Sequence, residues 1–301
     1  MYDRVLVRCD ADDRTTPAVE HALRLAFTHD ATVYVLDRAE TTDPRIVRID
    51  GTAIDSVLTT ARERGMPTVI EEAGDVSGDV PRDLPVRTLL ADCVTAYGID
   101  LVVLPIYGRR SLGEYVFGSE SKRIISTATT PVLTVRSDAT LSETHPYDSV
   151  LVLVDKRTDV GVPVRWGAEI ASRYDATLHL VSIVNEAVLG TGTWSNEITD
   201  RLKAESHWTV DEAKTVAVRA GVDDIVTTVE FGSTVTEIRS YAADREIDLA
   251  VVGTNGRLGF DTSLPGSLGE RIVRTAPTPM LILSDTLTDA ESPDVLGEST
   301  R

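Results

Sequence analysis

Four residues in the last third of the chain carry the strongest chemical signal: Gly253, Gly256, Gly266 and, directly after it, Ser267. They follow the apolar run Ile247-Asp-Leu-Ala-Val-Val-Gly253. A short apolar strand entering a glycine turn, with a second Gly-Ser opening a helix, gathers backbone amides around phosphate. Gly253 and Gly256 let the backbone approach a ribose or phosphate with no Cβ in the way. Ser267 is placed to cap the next helix, so that its hydroxyl and the amides of Leu268 and Gly269 face a triphosphate, the helix dipole behind them. No phosphate-loop lysine accompanies the frame, so charge neutralisation falls to amides, to Arg257 and to a divalent metal. Arg257 reads equally well as a solvated loop arginine.

The same frame occurs once before. Ile99-Asp-Leu-Val-Val-Leu104 leads into Pro105, Gly108, Gly118 and Ser119, each 148 positions ahead of Gly253, Gly256, Gly266 and Ser267. Arg4-Val-Leu-Val-Arg-Cys-Asp10 likewise matches Ser149-Val-Leu-Val-Leu-Val-Asp155 at a spacing of 145. Asp30-Ala-Thr-Val-Tyr-Val-Leu36 matches Asp175-Ala-Thr-Leu-His-Leu-Val181 at the same spacing, and Thr130–Val135 matches Thr278–Leu283 at 148. A period this long means duplicated domains rather than a solenoid. The expected division is residues 1–138, a polar linker 139–147, residues 148–285, and an acidic tail 286–301 with no apolar periodicity.

The elements that must position the frame follow from the hydrophobic pattern. Each half reads strand, helix, strand, variable segment, strand, helix, strand, glycine loop, helix, strand. The strands are continuous apolar runs, which suits parallel strands covered on both faces. Val19, Ala22, Leu23 and Ala26 form a helical stripe behind Thr16-Pro17, and Ala242 and Ala243 lie in a helix ending before Ile247. Alternating βαβ units give a doubly wound sheet, whose ligands sit beyond the carboxyl ends of the strands. Asp155 and the glycines both fall at that edge. The middles of the halves differ: the second has room for a fuller helix at roughly 196–220, the first has the Gly-, Asp- and Pro-rich segment 76–85. The cluster Gly190-Thr-Gly-Thr-Trp194 reads as a loop.

Composition excludes several classes. A net charge of −18 disfavours nucleic acid and anionic membrane as partners. No apolar span of about 20 residues suggests a membrane helix. The opening residues lack a signal-peptide layout, so a cytoplasmic location is expected. Only four lysines (122, 156, 203 and 214) stand among 30 basic residues, against 48 acidic ones. Such lysine-poor, aspartate-rich composition resembles that of proteins from high-salt cytoplasms; a GC-biased gene also favours arginine. Cys9 and Cys93 show neither metal nor disulfide spacing. His179, in an apolar strand, reads as a packed core residue.

At this point the residues resemble a known family. The chain is similar to a tandem universal stress protein, over about its first 285 residues. The spacing Gly-x2-Gly-x9-Gly followed by Ser is the ATP-binding signature of one branch of that family, and it is intact at Gly253, Gly256, Gly266 and Ser267. The resemblance implies two Rossmann-like adenine-nucleotide domains related by a pseudo-twofold axis, pairing through their last strands; further homodimerisation is compatible with it. It implies ATP, with Mg2+ or Mn2+, held by Val154, Asp155, Ile183, Val252, Gly253, Gly256, Arg257, Gly266, Ser267, Leu268 and Gly269. Asp155 can serve a ribose hydroxyl, an adenine edge or the metal, and each is compatible with capping the strand-to-helix turn. Ile183 is implied as an apolar contact on the adenine side.

The first copy departs from the pattern. Pro105 replaces the leading glycine and removes an amide donor, and Arg38 stands where the second copy has Ile183. Asp10, Gly108, Gly118 and Ser119 remain, so weak or absent binding is expected there. No general base, nucleophile or arginine finger is evident. The expected function is an ATP-binding sensor or regulator with at most slow hydrolysis. Two alternatives stay open: a protein-interaction module whose glycine frame merely packs, and an adenine-nucleotide enzyme of related fold.

Overall fold

Uninterrupted apolar runs set the strands. Leu101–Ile106 and Leu249–Gly253 are buried at every position, as in parallel strands covered on both faces. The computed structural model describes residues 2–10, 16–38, 45–49, 86–106, 119–137, 147–155, 161–185, 195–254, 267–284 and 287. The segment 76–85, the cluster 190–194, nearly all of the expected linker and all of the expected tail except Leu287 lie outside these residues. Leu287 itself is buried, and its amide donates to the Ser284 carbonyl at 3.1 Å.

The chain divides into two compact units, Met1–His145 and Pro146–Arg301. The first contains β1 (Arg4–Asp10), α1 (Thr16–His29), β2 (Thr32–Arg38), β3 (Arg45–Ile49), α2 (Val86–Tyr97), β4 (Leu101–Ile106), α3 (Ser119–Thr127) and β5 (Val132–Arg136). Its strand order is β3-β2-β1-β4-β5. The second contains β6 (Ser149–Leu153), α4 (Gly161–Tyr174), β7 (Thr177–Asn185), α5 (Ser195–Arg219), β8 (Ile225–Gly232), α6 (Thr234–Asp244), β9 (Leu249–Gly253), α7 (Leu268–Thr275) and β10 (Met280–Leu283). Its order is β10-β9-β6-β7-β8, parallel throughout. Among the described residues no helix is long and apolar enough to cross a membrane.

The expected stripe on α1 holds, with Val19, Ala22, Leu23 and Ala26 all buried. The fuller helix of the second half spans Ser195–Arg219. One element differs from the parallel reading: β3 runs antiparallel to β2. Its end alternates, Arg48 exposed and Ile49 buried, the period-two signature of a half-covered strand.

The repeat is visible in the joints. In each unit an aspartate at the head of the fourth ladder strand ties down the head of the first. Asp100 accepts from the amides of Asp3 and Arg4 at 2.7 and 3.1 Å. Asp248 accepts from Asp148 and Ser149 at 2.9 and 3.0 Å. Five of the described helices end the same way, with Asp30, Gly98, Asp175, Gly221 or Glu246 at φ of 53°, 61°, 55°, 85° and 49°. In each case the next amide then reaches back five residues to a helical carbonyl. Glu246 stands where the first unit has Gly98, a left-handed position that costs a side-chain-bearing residue about 1 kcal/mol.

Helices cover both faces of the second unit's sheet. α4 and α5 pack together on one face, and α6 and α7 on the other. Gly167 of α4 lies against Val152 and Leu178, which fixes the side to which those strand positions point.

Candidate functional site

In the second unit the strand order reverses between β6 and β9. Chain progression runs outward through β7 and β8 on one side and to β10 on the other. In a doubly wound sheet the crevice at that reversal, outside the carboxyl ends, is where ligands are held. The two strands are in register only as far as Val152 and Val251, so the residues just beyond form its walls. Those residues are Val154 and Asp155 on one side, and Val252 and Gly253 on the other. Val154 and Val252 are buried, and Asp155 is half-buried. The Val154 amide still donates to the Val181 carbonyl at 2.9 Å. The β6–β7 register therefore continues past Leu153↔Val181, which sets Asp155 beside Ile183.

Helix α7 supplies the amides. Ser267 is its N-cap at φ −52° and ψ 156°, and its hydroxyl accepts from the Glu270 amide at 3.4 Å. The amides of Leu268 and Gly269 are thereby left at the open helix end, carrying the positive pole of the dipole. Gly256, Arg257 and Gly266 lie outside the described residues.

Glu270 escaped the motif reading. It is buried in the first turn of α7, with Arg274 Nη1 3.6 Å from its carboxylate. The spacing Ser-x-x-Glu from Ser267 to Glu270 is the signature of a capping box and was available in the sequence. A carboxylate there strengthens the helix start and sets a negative charge beside its open amides.

In the first unit the corresponding positions can be followed through their backbones. Asp10 pairs in register with Arg38, the counterpart of Asp155 beside Ile183. Pro105 lies past Val103, the last β4 residue that β1 pairs, so the amide that Gly253 offers has no equivalent there. Ser119 opens α3. Gly108 and Gly118 lie outside the described residues.

His179 is a core residue, as its apolar surroundings suggest. It is buried on β7, with Nδ1 2.9 Å from the Tyr241 hydroxyl, which in turn lies 3.3 Å from Thr228 Oγ1. Burial holds its pKa below 6.5, and the nearby Arg245 guanidinium adds to the effect against an opposing pull from Asp224. The unfolded chain therefore takes up the proton first. The stability that His179 contributes is fully present above pH 6.5 and is lost as the pH falls towards the lowered folded-state value. All three tryptophans lie in the second unit, so fluorescence-monitored urea unfolding reports on that unit. Between pH 7 and pH 5 the native chain should lose stability more steeply than the His179→Gln variant. Equal slopes would remove His179 from the account. Both cysteines are buried and form no disulfide, and no cluster of three metal-ligating side chains occurs among the described residues.

Two α/β units, each with an aspartate closing its first strand and a helix opening at the point of strand reversal, define a tandem protein of the doubly wound class. Residues 1–136 and again 146–284 match the universal stress protein family. The chain belongs to that family, with two of its domains in tandem. A universal stress protein of Staphylococcus haemolyticus is 29% identical over 139 residues, which are 46% of this chain and 84% of that protein. One from Staphylococcus saprophyticus is 30% identical over 139 residues, 46% of this chain and 83% of its own. Among solved structures, a functionally unknown Pseudomonas aeruginosa protein superposes with a TM-score of 0.60 at 19% identity, covering 94% of this chain and 92% of that one. A universal stress protein from Archaeoglobus fulgidus gives 0.59 at 15% identity, covering 94% and 96%. At such identities the likeness establishes the fold.

Proposed function

We propose that the second unit holds ATP in the crevice between β6 and β9, and that the chain acts in the cytoplasm as a nucleotide-responsive regulator in the stress response. The observation that carries this reading is the strand reversal between β6 and β9, beyond whose paired ends Asp155 and Gly253 follow, with a serine-capped helix in the same unit. Val154, Asp155, Ile183 and Val252 would form the nucleoside side. Gly253, Gly256, Arg257, Gly266, Ser267, Leu268 and Gly269 would form the phosphate side.

Asp155 is the one carboxylate assigned to the site. It fits a Mg2+ or Mn2+ ion held chiefly by phosphate oxygens and water, as magnesium commonly is in nucleotide sites. Hydrolysis is slow in this reading, because amides and a single carboxylate bind the nucleotide without a group assigned to activate water.

Calorimetry of the intact chain with MgATP should give close to one site. Pro105 and Arg38 weaken the first unit relative to Gly253 and Ile183. Two equal sites would sink this asymmetry. Gly266→Val, chosen on the motif spacing, should remove the site, because a branched side chain enters space that the motif keeps for phosphate. Retained affinity in a folded Gly266→Val protein would count against the assignment.

A further inference from the structure

We propose that Glu230 selects the base, its carboxylate accepting a hydrogen bond from the 6-amino group of an adenine that lies on Ile183. This rests on the reading of the second unit as an ATP site and adds to it a residue outside the glycine frame.

The placement follows from strand register, since paired residues of neighbouring strands project to the same face. His179 pairs with Val226, Val181 with Thr228 and Ile183 with Glu230. The Tyr241 hydroxyl of α6 touches both His179 and Thr228, so this row faces α6. Lys203 Nζ of α5 lies 5.2 Å from the centre of the Phe231 ring, which puts the next residue on the opposite face. Glu230 therefore shares a face with Ile183, one strand further out. With Asp155 beside Ile183 on the other side, the three residues form a row along the carboxyl edge. At about 4.8 Å between strands the row spans roughly 10 Å, comparable to a nucleoside from its ribose to the far edge of its base.

Glu230 is half-buried, and its carboxylate makes no hydrogen bond or ion pair with any other described residue. A carboxylate drawn from water without a donor is costly, and a ligand donor relieves that cost. Ionised, it can only accept. The 6-amino group of adenine donates; purine riboside has hydrogen at that position, and hypoxanthine has a carbonyl oxygen. No such row occurs among the described residues of the first unit. There Asp10 pairs with Arg38, and the strand beyond is the antiparallel β3, whose Arg45 pairs with Asp37.

The test is calorimetry of the full chain with the magnesium complexes of ATP, purine riboside triphosphate and inosine triphosphate. The native chain should prefer ATP over purine riboside triphosphate by about tenfold or more, the value of a hydrogen bond to a charged acceptor. Glu230→Met should bring that ratio close to one. Glu230→Gln should keep part of the preference, since its carbonyl still accepts, and should gain affinity for inosine triphosphate, since its amide donates. Melting curves confirm that the variants fold. A native chain that binds ATP without preferring it, or a Glu230→Met protein with an unchanged ratio, overturns the role of Glu230 alone. A native chain that binds no ATP overturns the underlying reading and this inference with it.

Discussion

Gly167→Val should unfold the second unit well before the native protein does. A Cβ built on Gly167 collides with Val152 Cγ2, and Leu178 Cδ1 lies 3.5 Å away. Val152 and Leu178 are both fully buried, so the neighbours have nowhere to withdraw. Overpacking of this kind costs about 3 kcal/mol, or roughly 10 °C in midpoint for a unit of this size. Gly167→Ala is the sharper variant. Alanine gains about 1 kcal/mol of helix propensity over glycine, so a net loss must come from packing. Joining Gly167→Ala to Val152→Ala should recover part of that loss, because the second change empties the space that the new methyl needs. Additive losses in that cycle would show that the two residues do not share the contact. The contact also bears on the site, because β6 carries Asp155 to the crevice and α4 holds β6 from behind. Tryptophan fluorescence follows it directly, since Trp166 is the buried neighbour of Gly167.

The melting temperature should climb with KCl into the molar range. With 48 acidic and 30 basic side chains the net charge is −18, and self-repulsion opposes compaction at low ionic strength. The surface of α5 is one source, with Glu197, Asp200, Asp211 and Glu212 all exposed along one helix. Screening accounts for the first part of the rise. The Debye length is already about 8 Å at 0.15 M and about 3 Å at 1 M, so ordinary repulsion is largely relieved early. A further gain of roughly 10 °C between about 0.2 M and 3 M, worth about 3 kcal/mol in a unit of this size, requires hydrated-ion binding by the carboxylates or salt-strengthened apolar burial. Potassium sulfate and KCl at matched ionic strength separate the two, since sulfate strengthens burial more. A midpoint flat above about 0.2 M would return the lysine-poor composition to codon usage.

The duplication, the two-unit α/β architecture and the glycine-serine frame were legible in the amino-acid order because each rests on local chemistry. A continuous apolar run makes a covered strand wherever it lies, and Ser267 caps α7 through an amide only three residues away. Asp30 and Asp175 show the same rule, repeating one helix ending at one spacing in both units. What lies beside what across the sheet was settled by tertiary structure. β7 is buried without a break from Leu178 to Ser182, so that stretch has no alternation to tell which face each residue takes. Only pairing with β8, 47 residues on, places Glu230 next to Ile183. The antiparallel β3 was likewise hidden, because its five residues starting at Arg45 fall in the segment that reads only as variable, and nothing local fixes a strand's direction. Val152 against Gly167 and Tyr241 against His179 are contacts between elements, and no periodicity within either element encodes them. The sequence by itself thus determined which segments fold and how Ser267 caps α7. The tertiary structure decided which residues stand side by side along the carboxyl edge, because strand register is set by hydrogen bonds between distant segments.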